Sequence, residues 1–227
     1  MSYTDNQFGD EDDDEQSCKI VLLGESGVGK TSIIANFMEQ NTNDISATTG
    51  ATFSTKTINF DKFNKNVCFE IWDTAGQEKY RALTKMFYKD AAAAILVYDI
   101  TREESFQQLK EYWAVQVKEN APKKIIFAIA ANKSDLEDSE AINEIDAREF
   151  AKSINALFKK TSCIRKEGID ELFNDIGYKF LDPNYEVSAE AKLESEERRN
   201  IKRASVKITN KKKETEQTTE TKKKKCC

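Results

Sequence analysis

The chain predicts an α/β fold: a mostly parallel sheet with helices on both faces. Three observations point there. Strand-like and helix-like stretches alternate through the middle of the 227 residues, the pattern of successive βαβ units. The apolar runs Ala93–Tyr98 and Ile125–Ala130 are continuous rather than alternating, as in central strands covered on both faces. Glycine is scarce, eight residues in all, yet Gly24, Gly27 and Gly29 cluster between a strand-like and a helix-like stretch.

The elements follow in order. Lys19–Leu23 (KIVLL) is a short apolar run closed by Gly24, hence a buried strand. Thr31–Glu39 carries Ile33, Ile34, Phe37 and Met38 at helical spacing. Phe53–Phe60 and Val67–Trp72 predict two strands, joined as a hairpin by the polar segment DKFNKN. Ala93–Tyr98 and Ile125–Ala130 are strands, and Ser105–Lys118 and Ile142–Ser153 are helices. Ala156–Phe158 is a short strand, and Ile169–Leu181 is the last helix. Apolar periodicity stops at Pro183, so the domain is expected to span 19–181.

Charge marks the tails. Residues 1–18 hold seven acidic side chains and no basic one, and predict a disordered acidic arm. Residues 182–227 predict a flexible tail, with 13 Lys/Arg against 8 Glu from 186 onward. Overall the net charge is −5, which argues against bulk nucleic-acid binding. The longest apolar run, Ala91–Tyr98, is far short of the roughly 20 residues that span a bilayer. No secretory leader is predicted. With no His, imidazole catalysis and His-ligated zinc are excluded. Five Cys (18, 68, 163, 226, 227) without CxxC spacing predict a reduced, intracellular protein.

Three motifs carry chemistry. Gly24-Glu25-Ser26-Gly27-Val28-Gly29-Lys30-Thr31 fits G-x-x-x-x-G-K-[ST] in its required place between a strand and a helix. There the loop N–H groups and the helix N-terminus cradle phosphate, Lys30 pairs with the β- and γ-phosphates, and the Thr31 hydroxyl ligates Mg²⁺. The bland alternative is an ordinary glycine turn. Asn132-Lys133-Ser134-Asp135 closes a strand about 100 residues further on. Guanine offers N1–H and a 2-amino group side by side, and the Asp135 carboxylate can accept both. Adenine would leave that carboxylate desolvated and unpaired, which is where large discrimination arises. Lys133 can lay its stem on the base. Alone, this motif could be a polar turn. Trp72-Asp73-Thr74-Ala75-Gly76-Gln77 again ends a strand: Asp73 holds Mg²⁺ through water, the Gly76 N–H senses the γ-phosphate, and Gln77 orients the attacking water.

Together these motifs resemble those of the Ras-like small GTPases, and within them the Rab family. The resemblance covers about Lys19–Leu181 and the last residues. It implies the P-loop NTPase (Ras-like) fold, with a six-stranded mostly parallel sheet, one antiparallel edge strand and helices on both faces. It implies a GTP hydrolase that binds GTP/GDP with Mg²⁺ and uses Gln77 in catalysis. The nucleotide-contacting set it implies is Gly24, Glu25, Ser26, Gly27, Val28, Gly29, Lys30, Thr31, Ser32, Thr48, Asp73, Gly76, Asn132, Lys133, Asp135, Ser162 and Cys163. Thr31, Thr48 and Asp73 would serve the metal. Thr48-Thr49-Gly50-Ala51-Thr52-Phe53 matches the family's switch I pattern with Thr49 in place of Ile, so Thr49 stays an alternative to Thr48. Phe53, Trp72 and Phe87 match the aromatic triad that effectors read, with core packing as the alternative.

Two departures predict faster nucleotide release than is common for Rabs. The S-A-K motif of the family appears as Ser162-Cys163-Ile164, without its Lys, and Gln40–Gly50 contains no aromatic to pack on the nucleotide. No arginine is placed by the sequence to serve in cis, so the intrinsic rate should be slow.

The chain ends in four lysines and Cys226-Cys227, which resembles the Rab signal for two geranylgeranyl groups. Two lipid chains anchor stably where one is reversible, and each lysine near an anionic leaflet adds about 1 kcal/mol. The resemblance further implies a monomer with effectors, a GTPase-activating protein, an exchange factor, the Rab escort protein and a GDP-dissociation inhibitor. It places the protein on the cytoplasmic face of endomembranes, cycling with the cytosol, and the GATFxTKTI-like stretch resembles endosomal Rabs. A P-loop kinase using ATP and a binding-only scaffold are the competing classes.

Overall fold

In the computed structural model, residues 15–40, 51–74 and 87–186 are described. One compact unit closes at Tyr185, and a second, Glu186–Cys227, falls outside the described residues but for Glu186. Thr48, Thr49, Gly76, Gln77, Cys226 and Cys227 also lie outside them.

The elements are β1 (Glu15–Leu23), α1 (Lys30–Phe37), β2 (Ala51–Phe60), β3 (Lys65–Thr74) and β4 (Ala93–Asp99). Helix α2 comes in three consecutive pieces: Glu103–Gln108, a π-helical turn Leu109–Trp113, and Ala114–Asn120. Then follow β5 (Ile126–Asn132), α3 (Glu144–Ser153), β6 (Leu157–Lys160) and α4 (Ile169–Leu181). The sheet order is β2-β3-β1-β4-β5-β6. Only the β2–β3 pair is antiparallel, and it is the hairpin the polar segment predicts, closed by a 3₁₀ turn at Asp61–Phe63 with Asn64 left-handed.

β1 shows why the sheet is covered twice. Its alternate residues serve two cores. Ile20 and Leu22 pack with Ile33 and Phe37 of α1 and Phe173 and Ile176 of α4. Val21 and Leu23 pack with Leu109, Trp113 and Val117 of α2 and Ala147 of α3. Stacked Phe37 and Phe173, 3.7 Å between centroids, tie the first helix to the last. β1 lies between β3 and β4: after β1 the chain builds β2 and β3 on one side and then crosses to β4 on the other, so the carboxyl end of β1 opens on the switch point of the sheet, the position where ligands bind in open α/β folds.

Three of the boundaries that differ from the sequence pattern have a cause in distant partners. β1 begins at Glu15, four residues inside the stretch assigned to the acidic arm. Gln16–Lys19 pair in register with Val67–Glu70, Cys18 is fully buried, and the Ser17 hydroxyl donates to Glu70 Oε1 at 2.6 Å. Its polar composition hides a strand held by backbone pairing. β6 runs on to Lys160 because Lys159, buried, meets Asp175 of α4 at 2.9 Å. Beyond α4, the Tyr185 hydroxyl donates to Asp175 Oδ1 at 3.0 Å and its ring stacks on Tyr178, so the packed chain continues past Leu181.

Candidate functional site

The phosphate loop joins β1 to α1. Gly24 and Gly29 have φ of +148° and +100°, in the region that favours glycine. Space forbids a side chain at both. A Cβ on Gly24 would run into the Val97 carbonyl of β4, and one on Gly29 into the side-chain amide of Asn132. Lys30, the first residue of α1, folds back over the loop and donates to the Gly24 and Glu25 carbonyls at 2.9 and 3.0 Å. Burial pushes its ammonium down to about 8, partly offset by the nearby Asp73 and Glu25 carboxylates. Val28 is buried, Ser32 half-buried, and Ser26 and Gly27 exposed.

The Thr31 hydroxyl donates to Asp73 Oδ2 at 2.6 Å, bringing the first turn of α1 against the end of β3. Two hard oxygen donors therefore converge beside the loop. That set suits Mg²⁺, which takes one or two protein oxygens and completes its octahedron with phosphate and water. The pair is fixed from below by Thr74, whose hydroxyl donates to the Leu22 carbonyl of β1 at 2.6 Å.

The third strand end closes the site. Asn132 is buried and tied to two other loops. Its Nδ2 donates to the Val28 carbonyl at 2.8 Å, and its Oδ1 accepts from the Thr161 hydroxyl at 3.0 Å and from the Cys163 thiol at 3.9 Å. Lys133 follows in the left-handed region, φ +64°, and its Nζ meets Asp99 Oδ2 of β4 at 2.6 Å. Burial alone would push the Asp99 carboxyl up. Hydrogen bonds from Lys133 and from the Thr101 hydroxyl and N–H outweigh it and hold the group below its ordinary range. The Asp135 carboxylate accepts from the Ser162 hydroxyl at 2.5 Å. Phosphate loop, Asp73, Asn132–Asp135 and Ser162–Cys163 thus meet at the carboxyl ends of β1, β3, β5 and β6.

Residues 19–182 match the family model of the Ras family. The chain belongs to the Ras family.

Mouse Ras-related protein Rab-22A is 47% identical over 159 residues, covering 70% of this chain and 80% of the relative. Rat Ras-related protein Rab-31 is 45% identical over 169 residues, 73% of this chain and 85% of the relative. The GTP-binding protein ypt5 of Schizosaccharomyces pombe is 42% identical over 163 residues, 71% and 76%. The chain is a Rab-type small GTPase of the Ras superfamily. It binds GTP and GDP with Mg²⁺, hydrolyses GTP to GDP and phosphate, and works with regulators and effectors in vesicle-mediated transport on endomembranes. No helix among the described residues is long and apolar enough to cross a membrane.

In this small GTPase the three triad aromatics are contiguous. Phe53 lies 5.0 Å from Trp72, and Trp72 lies 5.5 Å from Phe87, between ring centroids. Phe53 is 51% exposed, so core packing does not account for it. Sequence reasoning missed three residues that hold the site. Asp99 is one; its only signal is a carboxylate ending the buried strand YD. Arg102 is another: its Nη1 donates to the Ser26 carbonyl of the phosphate loop at 3.0 Å, so an arginine does stand beside the phosphate site. Arg165, on the turn after Ser162, is the third.

Proposed function

We propose that this Rab acts as a switch on endosomal membranes, with the residues converging at these strand ends as its nucleotide site. The observation that carries this reading is the convergence of Lys30, the Thr31–Asp73 pair and the Asn132–Asp135 segment around one loop. Lys30 takes the β- and γ-phosphate charge. Thr31 and Asp73, with Thr48 or Thr49, would hold Mg²⁺, which when bound would neutralise phosphate charge. Asp135 reads guanine by accepting from N1–H and the 2-amino group, Lys133 covers the base, and Ser162 and Cys163 border it. Gln77 orients the attacking water, and Gly76 and Thr48 couple the γ-phosphate to the segments that flank the Phe53–Trp72–Phe87 surface.

Two further assignments belong to the ends of the chain. Cys226 and Cys227 carry geranylgeranyl groups, delivered through the Rab escort protein, and a GDP-dissociation inhibitor returns the protein to the cytosol. With β1 starting at Glu15 and Tyr185 packed on α4, residues 15–185 form the GTPase domain, residues 1–14 the acidic arm and residues 186–227 the tether. The endosomal assignment is supported by the Gly50–Ile58 stretch and by likeness to Rab-22A and Rab-31.

A Thr31→Asn variant tests the metal role. Mg²⁺·GTP affinity should fall far more than GDP affinity, and equal loss for both would contradict it. Imaging the tagged full chain with and without Cys226 and Cys227 tests the anchor: the intact chain should mark endosomes and the truncated one should be diffuse.

A further inference from the structure

We propose that Arg165 is a positioning residue that clamps the base-reading segment in place and slows nucleotide release. The inference rests on the assignment of Asp135 to guanine.

Arg165 reaches Asp135 by two separate routes. Its backbone N–H donates to the Ser162 hydroxyl at 3.0 Å, and that hydroxyl donates to the Asp135 carboxylate. Its guanidinium folds across the loop, with Nη2 on the Asp135 carbonyl at 3.2 Å and Nη1 between the Ser134 carbonyl, 3.5 Å, and Glu137 Oε1, 2.9 Å. One residue thus holds both the side chain and the main chain of the guanine reader. Its own base is rigid: Ser162 and Glu167 exchange backbone hydrogen bonds of 3.0 and 3.1 Å, closing the turn from which Arg165 projects.

The surrounding chemistry favours arginine over lysine. A planar fork can serve two carbonyls and a carboxylate together, whereas an ammonium is a point charge on a flexible stem. The Arg165–Glu137 pair is exposed and contributes little as an ion pair. Its value is directional, because it aims the fork at the carbonyls. Ile164, where the resembling motif has Lys, is 82% exposed and gives the segment no polar anchor. Arg165 supplies one from the next position, which the motif pattern does not contain.

The test uses the full chain loaded with Mg²⁺ and N-methylanthraniloyl derivatives of GDP and GTP, with inosine diphosphate, which lacks the 2-amino group, as competitor. Arg165→Ala should raise GDP and GTP dissociation rates equally, by roughly five- to tenfold, and narrow the preference for GDP over inosine diphosphate. Arg165→Lys should restore less than half of that loss, and Glu137→Gln should show a smaller change in the same direction. Dissociation rates for Arg165→Ala within about twofold of the parent would overturn the proposal, as would an unchanged guanosine-to-inosine preference, which would mean general loosening only. Asp135→Ala is the control for the underlying assignment. If it keeps guanine preference, the base reading itself is wrong; if it loses preference while Arg165→Ala changes nothing, only the clamp is wrong.

Discussion

The Asn132 side-chain amide donates to the Val28 carbonyl at 2.8 Å, so the end of β5 is bolted to the phosphate loop. The same amide occupies the place a Cβ on Gly29 would need. Asn132 is therefore a structural tie between the phosphate loop and the ends of β5 and β6 as much as part of the proposed base-reading motif. Asn132→Ala strips partners from Val28, Thr161 and Cys163 in a buried setting. It should cost about 2 kcal/mol, or roughly 4–8 °C in Tm for a domain of this size, together with nucleotide affinity. Circular-dichroism melting checks this, and an unchanged Tm would contradict it.

Asp99 and Lys133 make the second tie. Because the folded-state pKa of Asp99 is held below its ordinary 3.8, its contribution to stability is present at neutral pH and lost as the pH falls below 3.8 and through the depressed folded-state value. Asp99→Asn should lower Tm at pH 7, and the difference from the parent should shrink on acidification from about pH 5 to pH 3. GDP dissociation should also quicken, since Lys133 loses the partner that aims it. A Tm difference independent of pH would argue against the ion pair.

The Cys163 thiol is pushed up to about 11, by burial first and then by the Asp135 carboxylate, against smaller opposing pulls from Asn132 and Lys133. Only the thiolate alkylates, so peptide-mapped iodoacetamide labelling at Cys163 should climb about tenfold per pH unit from pH 7 to pH 10. A plateau below pH 9 would show a more acidic thiol than this surrounding allows.

Arg102 donates to the Ser26 carbonyl, which fastens the loop but commits the guanidinium to a backbone acceptor. Arg102→Ala should leave single-turnover GTP hydrolysis within about twofold while raising nucleotide release a few-fold. A tenfold drop in hydrolysis would instead make Arg102 a charge-stabilising arginine in cis.

The central architecture was legible because its signals are local. KIVLL before a glycine loop, unbroken apolar runs at β4 and β5, and the polar hairpin all name their own elements. What escaped depended on partners distant in sequence. The first residues of β1 are polar, and only their pairing with Val67–Phe69 makes them strand. Lys159 reads as solvent-facing until Asp175 is brought to it. In the site, the three motifs carry their residue types openly, whereas Asp99 and Arg165 act through side chains that cross between loops. The sequence shows the missing motif Lys at 164 but not the Arg165 fork, whose contacts with Ser134, Asp135 and Glu137 exist only in the folded loop.

The most direct measurement is the identity of the nucleotide carried by the purified full chain, kept in Mg²⁺ throughout and released by denaturation for chromatography. The site described here should yield GDP or GTP at close to one per chain. An adenine nucleotide, or none, would contradict it.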